Sequence, residues 1–153
     1  MYKVVVSDLD GTLLNSDQEV SELSKKVIRE LCDRGIKFYI ATGRAYPDAK
    51  RIMESIGIKI PLISANGGVI NDSDGNEIYR DDLDEESKNI ILDIDYMAVS
   101  DLIHINAYSD NRWFLTTEER KVNPFKEEPH FTYEINSIEE LRKRNILVQE
   151  ENF

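Results

Sequence analysis

The sequence predicts an α/β fold: a parallel sheet with crossover helices over residues 1–82, followed by an α+β region over residues 83–153. Three observations carry this reading. Apolar runs at residues 3–8, 36–41 and 62–64 are separated by stretches whose apolar residues recur at helical spacing. Strand, helix, strand, helix, strand is the order that builds parallel pairs through right-handed crossovers. Beyond residue 82 the pattern changes to one helix and then short alternating segments.

The first strand, residues 3–8, contains Val4-Val5-Val6, a run suited to burial on both faces. Ser21 is placed to cap the following helix. That helix is predicted to bury Leu23, Val27, Ile28 and Leu31, and Gly35 stands where a C′ glycine belongs. The second strand is residues 36–41. The second helix starts near Pro47, a favoured first-turn residue, and is predicted to bury Ala49, Ile52, Met53 and Ile56 before Gly57. Residues 62–64 form the third strand, and Asp74-Gly75 marks a hairpin between Val69-Ile70 and Glu77-Ile78-Tyr79.

In the second region, residues 85–99 read as one helix with Ile90, Ile91, Ile94 and Met97 spaced for burial. Residues 102–108 and 113–117 read as paired strands, with Tyr108 and Trp113 as packing residues. Residues 123–129 are irregular, 132–135 a short strand, and 145–149 a last strand. Ser137 with Glu140 three residues on is a capping-box signature. His104 and His130 lack metal-ligand spacing and are read as structural.

The 19 Lys and Arg against 30 Asp and Glu argue against nucleic acid or an anionic membrane as the main partner. No apolar run approaches the roughly 20 residues that span a bilayer. Cys32 is the single cysteine, so no intrachain disulfide can form. With no signal peptide legible at the N-terminus, a cytoplasmic location is expected.

The chemistry lies at the strand ends. Alternate residues of a strand share a face, so Asp8 and Asp10 point one way and Leu9 the other, about 6.6 Å apart at Cα if the strand persists. Gly11 permits the turn that follows. Two carboxylates at the end of a buried strand are costly unless a cation or a reaction uses them. Ligands of open α/β sheets bind beyond the carboxyl ends of the strands. The three ends are Asp8-Leu9-Asp10-Gly11-Thr12, Thr42-Gly43-Arg44 and Asn66-Gly67-Gly68. Together they offer carboxylates, a hydroxyl, a guanidinium, an amide and glycine-exposed N–H groups, a set suited to cradling phosphate.

This constellation resembles the haloacid dehalogenase-like superfamily, and within it the Cof-type sugar-phosphate phosphatases. Asp8-Leu9-Asp10-Gly11-Thr12-Leu13-Leu14 is similar to the first family motif, Ile40-Ala41-Thr42-Gly43-Arg44 to the second, and Ser64-Ala65-Asn66-Gly67-Gly68 to the loop before the cap. The resemblance implies part of a Rossmann-like core and a cap. It implies Mg2+ on the Asp8 carboxylate and the Asp10 carbonyl, and a small phosphorylated substrate. Asp8 would be the nucleophile that forms an aspartyl-phosphate, and Asp10 the acid and then the base. Leu9, Gly11, Thr42, Gly43, Arg44, Asn66 and Gly67 would line the phosphoryl and substrate positions. For Arg44 the residues leave two readings open, a substrate contact or an ion pair within the site.

The family also implies a third-motif Lys and a fourth Gly-Asp-x-x-x-Asp motif beyond the cap. Neither occurs in these residues, and Lys126 and Lys143 lie inside the cap-like region. The expectation is a chain incomplete within its cap, with low turnover by itself. Its first strand would present an exposed apolar edge that invites self-association. Two other classes remain: a binding or oligomerising module that keeps the fold without turnover, and a receiver-like phospho-acceptor domain. The receiver reading ranks last because its phosphorylated Asp would end the third strand, where Asn66 stands.

Overall fold

The computed structural model describes residues 2–99, 105–109, 112–116 and 133–149. These fall into two compact units, Met1–Arg80 and Asp81–Phe153.

The first unit is built on a five-stranded sheet of order β1-β2-β3-β4-β5. The strands are β1 Val4–Ser7, β2 Lys37–Ala41, β3 Leu62–Ser64, β4 Val69–Asn71 and β5 Glu77–Arg80. β1, β2 and β3 run parallel, and β4 and β5 add antiparallel strands. The helices α1 Glu22–Asp33 and α2 Tyr46–Ser55 form the two crossovers. Both pack on one face, in a core joining Val5, Phe38, Ile40 and Leu62 to Ile28, Ala49, Ile52, Met53 and Ile56.

Local chemistry explains the boundaries. The Ser21 hydroxyl accepts from the Ser24 N–H and starts α1. Gly35 and Gly57 follow the two helices with φ of 79° and 81°, where a side chain would be strained. Arg29 of α1 donates Nε to the Ile56 carbonyl at 2.9 Å and so caps the end of α2. In the β4–β5 hairpin the Asp72 carboxylate accepts from the Asp74 and Asn76 N–H groups.

The burial predicted for α1 needs correcting. Ile28 is buried, but Leu23 and Val27 are 72% and 45% exposed. α1 packs against β2, and among the described residues the sheet of this unit ends at β1, so no further strand lies under the outer side of the helix. β1 is an edge strand, and Val4 and Val6, on the face opposite the helices, are about half exposed.

The second unit holds α3 Glu85–Leu92, α4 Tyr96–Val99, β6 Asn106–Ser109, β7 Arg112–Leu115, β8 Tyr133–Ile135, α5 Ile138–Leu141 and β9 Leu147–Gln149. Its sheet order is β8-β7-β6-β9, antiparallel except between β7 and β8. The core is Leu92, Ile105, Ala107, Phe114, Leu141 and Ile146. Ser137 and Glu140 form the capping box, each side chain bonding the other's backbone N–H.

The single helix expected at residues 85–99 is two helices. α3 ends at Leu92, and the Asp95 carboxylate accepts from the Ala98 N–H, which caps a new turn. Ile90 and Ile94 are exposed, and the buried line of α3 is Lys88 and Leu92. Tyr108 and Trp113 pack as expected: their rings stack, Trp113 meets Tyr133 edge-on, and its indole N–H donates to Asn106. His104, His130, Lys126 and residues 123–129 lie outside the described residues, as do the Met97 and Thr132 side chains.

Candidate active site

Strand register brings the three polar ends to one rim. Ser7 pairs with Ile40 and Ala41 with Ile63, so Asp8, Thr42 and the segment after Ser64 leave neighbouring strands at the same end. Adjacent strands lie about 4.8 Å apart, which puts the Asp8 and Thr42 backbones within side-chain reach.

β1 stops at Ser7, so the strand-based spacing of the two aspartates does not apply. The chain enters a wide turn, Leu9–Leu13, closed by a 3.0 Å bond from the Leu14 N–H to the Leu9 carbonyl. Gly11 makes the turn with φ 68°, a value that favours glycine. Leu9 is fully buried and anchors the turn in the core. Its side chain belongs to the core cluster that includes Leu14, Val20 and Ile40. Asp8 is exposed, and its Oδ2 accepts from the Thr12 hydroxyl at 3.3 Å.

Thr42 is 6% exposed. Its Oγ1 accepts from the Arg44 N–H at 3.2 Å, which leaves the hydroxyl proton free to be donated. The third loop is bonded directly to the second: the Ala65 N–H donates to the Arg44 carbonyl and the Asn66 N–H to the Thr42 carbonyl. Ala65 and Asn66 have φ of 49° and 53°, a left-handed conformation that those two bonds help to hold. Gly67 continues at φ 96°.

Arg44 is the most connected side chain of the site. Its Nε and Nη2 bond the two oxygens of Asp10 at 2.9 and 2.6 Å. Nη1 donates to Asp48 Oδ2 at 2.7 Å, and Nη2 also donates to Gln18 Oε1 at 2.9 Å. The Asp10 hydrogen bond, followed by the charge of Asp48, raises the Arg44 pKa against the opposing effect of burial. Of the two readings left open, the ion pair is the one present.

Asp48 and Gln18 were not among the expected site residues. Asp48 had a local signal, an acid four residues after Arg44 in the first turn of α2. Gln18 had none: it adopts φ 58° in a loop closed by the Leu14–Val20 bridge. Lys143 lies in the second unit, in the turn after α5.

The donors fit a hard cation. Asp8 offers an exposed carboxylate and Asp10 a main-chain carbonyl, and Mg2+ is commonly held by one or two carboxylates with water and phosphate oxygens completing its shell. Among the described residues, no group of three or more His, Cys, Asp or Glu side chains gathers to hold a metal.

A sheet whose three parallel strands end in an acid-bearing turn, a hydroxyl and a glycine loop at one rim defines an α/β protein with its polar groups gathered at the carboxyl ends of those strands. The chain belongs to the haloacid dehalogenase-like hydrolase family, whose profile matches residues 5–148. It is 38% identical over 116 residues to a putative phosphatase of Buchnera aphidicola subsp. Baizongia pistaciae, covering 76% of this chain and 43% of that protein. It is similar to a haloacid dehalogenase-like hydrolase structure from B. subtilis, with TM-score 0.67, 28% identity, and coverage of 92% of this chain and 49% of that one. The subclass IIB sugar phosphatase BT4131 shares the fold at TM-score 0.72 and 17% identity, with 94% and 56% covered. The chain thus spans about half the length of the relatives it matches.

Proposed function

We propose that this chain carries the nucleophile-bearing part of a phosphoric monoester hydrolase for small phosphorylated metabolites of sugar-phosphate type. The observation that carries the reading is that Asp8, exposed, and Thr42, buried, directly follow two paired parallel strands at the same end. Family membership, the phosphatase name of the Buchnera relative and the sugar phosphatase fold neighbour support it.

In the first step an Asp8 oxygen bonds to phosphorus as the bond to the leaving oxygen breaks, and Asp10 gives that oxygen its proton. In the second, Asp10 takes a proton from water, the water oxygen bonds to phosphorus, and the Asp8–phosphorus bond breaks. The Thr42 hydroxyl and the Gly43 N–H hold the phosphoryl oxygens, and Asn66 and Gly67 border the substrate. The Asp8 carboxylate and Asp10 carbonyl would hold Mg2+, which lowers the repulsion between carboxylate and phosphate.

The proposed partner is this small substrate rather than nucleic acid or membrane, in keeping with a net charge of -11. No helix among the described residues is long and apolar enough to cross a membrane. We place the protein in the cytoplasm on its lone cysteine. The test is hydrolysis of p-nitrophenyl phosphate with Mg2+ by the chain and by Asp8→Asn. Hydrolysis lost in the variant is expected; equal rates would remove Asp8 as nucleophile.

A second reading, self-association, is favoured by the edge of β1, which among the described residues pairs with β2 alone. Two copies related by a two-fold axis through Val5 would pair antiparallel and set Val4 against Val6 of the other copy.

A further inference from the structure

We infer that Arg44 is a positioning residue for Asp10 and not a ligand of the substrate, with Asp48 and Gln18 holding its guanidinium to that task. The inference deepens the phosphatase reading, on which it rests for the role of Asp10.

A guanidinium has five N–H donors in a rigid fork. Four are engaged: Nε and one Nη2 hydrogen on Asp10, the other Nη2 hydrogen on Gln18, and one Nη1 hydrogen on Asp48. Bidentate recognition of a phosphate needs two parallel donors, and here the Nε/Nη2 edge that supplies them is closed on a carboxylate. Turning it to a substrate would strand two acids, Asp10 and Asp48, without their cation.

The supports come from separate parts of the chain. Asp48 is set by the first turn of α2. Gln18 is set by its loop, where Asn15 Oδ1 accepts from the Asp17 and Glu19 N–H groups and the Asn15 carbonyl accepts from the Gln18 N–H. Arg44 itself is fixed through its own N–H on Thr42 and its carbonyl on Ala65. One residue therefore ties the acid-bearing turn to the phosphoryl-holding strand end and to the third loop. Asp10 follows a short strand, and its side chain is about half exposed, so without the fork it would rotate freely. A general acid must lie within hydrogen-bond reach of the leaving oxygen, and a misplacement of about 1 Å can cost on the order of a hundredfold in rate.

The test reads Asp10 directly. Three-bond couplings from its Cγ to the backbone nitrogen and carbonyl carbon report the χ1 populations in the isotopically labelled 153-residue chain, without turnover. A single rotamer is expected in the wild type. Averaged couplings are expected in Arg44→Met and also in Arg44→Lys, which keeps the charge but loses the fork. Circular dichroism checks folding, and Arg44→Lys decides the matter if the methionine variant does not fold. Averaging already in the wild type, or a single rotamer retained in Arg44→Lys, overturns the inference. In the ester assay, Arg44→Lys should lower kcat about tenfold or more with KM nearly unchanged. A raised KM at unchanged kcat would instead make Arg44 a substrate ligand. If Asp8→Asn hydrolyses the ester as fast as an active wild type, the phosphatase reading fails while the couplings still decide whether Arg44 fixes Asp10.

Discussion

Lys88 sits on α3 with 2% of its surface exposed, and its ammonium meets three acceptors. Nζ donates to Glu85 Oε1 at 2.6 Å, to the Arg142 carbonyl at 2.9 Å and to the Arg144 carbonyl at 3.1 Å. The two carbonyls lie just past α5, so a lysine from one helix satisfies the end of another. Lys88→Met keeps most of the stem and removes the charge. The cavity contribution is then small, and the loss is that of the bonds to a charged donor, about 3 kcal/mol in all. Glu85 is 74% exposed, so Glu85→Gln should cost less than about 1 kcal/mol. Trp113, the only tryptophan, is buried in the same unit and reports its unfolding by fluorescence. With a urea slope of about 1–3 kcal/mol per molar, the Lys88→Met midpoint should fall by about 1–3 M. A Lys88→Met midpoint indistinguishable from wild type, or an equal cost for Glu85→Gln, would refute the claim that the carbonyls are what the ammonium serves.

Ala65→Gly should stabilise the first unit by roughly 0.5–1 kcal/mol, because Ala65 is held at φ 49°; a lower thermal midpoint would contradict this. Acid should destabilise the fold through Asp72, Asp84 and Glu140, whose pKa values are lowered chiefly by hydrogen bonds from Asn76, Ser87 and Ser137 respectively. A carboxyl lowered on folding contributes fully above its unfolded value and loses that contribution as pH falls through the folded one. Stability should therefore drop from about pH 4.5 downward, less steeply in Asp72→Asn, as followed by urea midpoints across pH. Self-association through β1 should appear as a concentration-dependent dimer in light scattering, abolished by Val6→Lys. A wild-type monomer at all concentrations would end that reading.

Much of the fold was legible because its signals are local. The ends of β2 and β3, the caps at Ser21 and Ser137, and the glycines after α1 and α2 each follow from residues within a few positions. The α3 break was also written locally, in Asp95, but a continuing apolar period masked it. The burial of Leu23 and Val27 could not be read, because periodicity marks an apolar stripe without saying whether anything covers it.

The sequence by itself determined which side chains stand at the strand ends, since a strand that stops in Asp, Thr or Asn-Gly carries its chemistry within its own few residues. Only the tertiary structure decided what Arg44 and Lys88 do. A long cation can be satisfied by whichever acceptors surround it, and here, beside the near neighbours Asp48 and Glu85, they come from 26 and 34 residues before Arg44 and from 54 and 56 residues after Lys88. No local pattern encodes partners so far apart along the chain; they meet because parallel pairing and helix packing place them side by side.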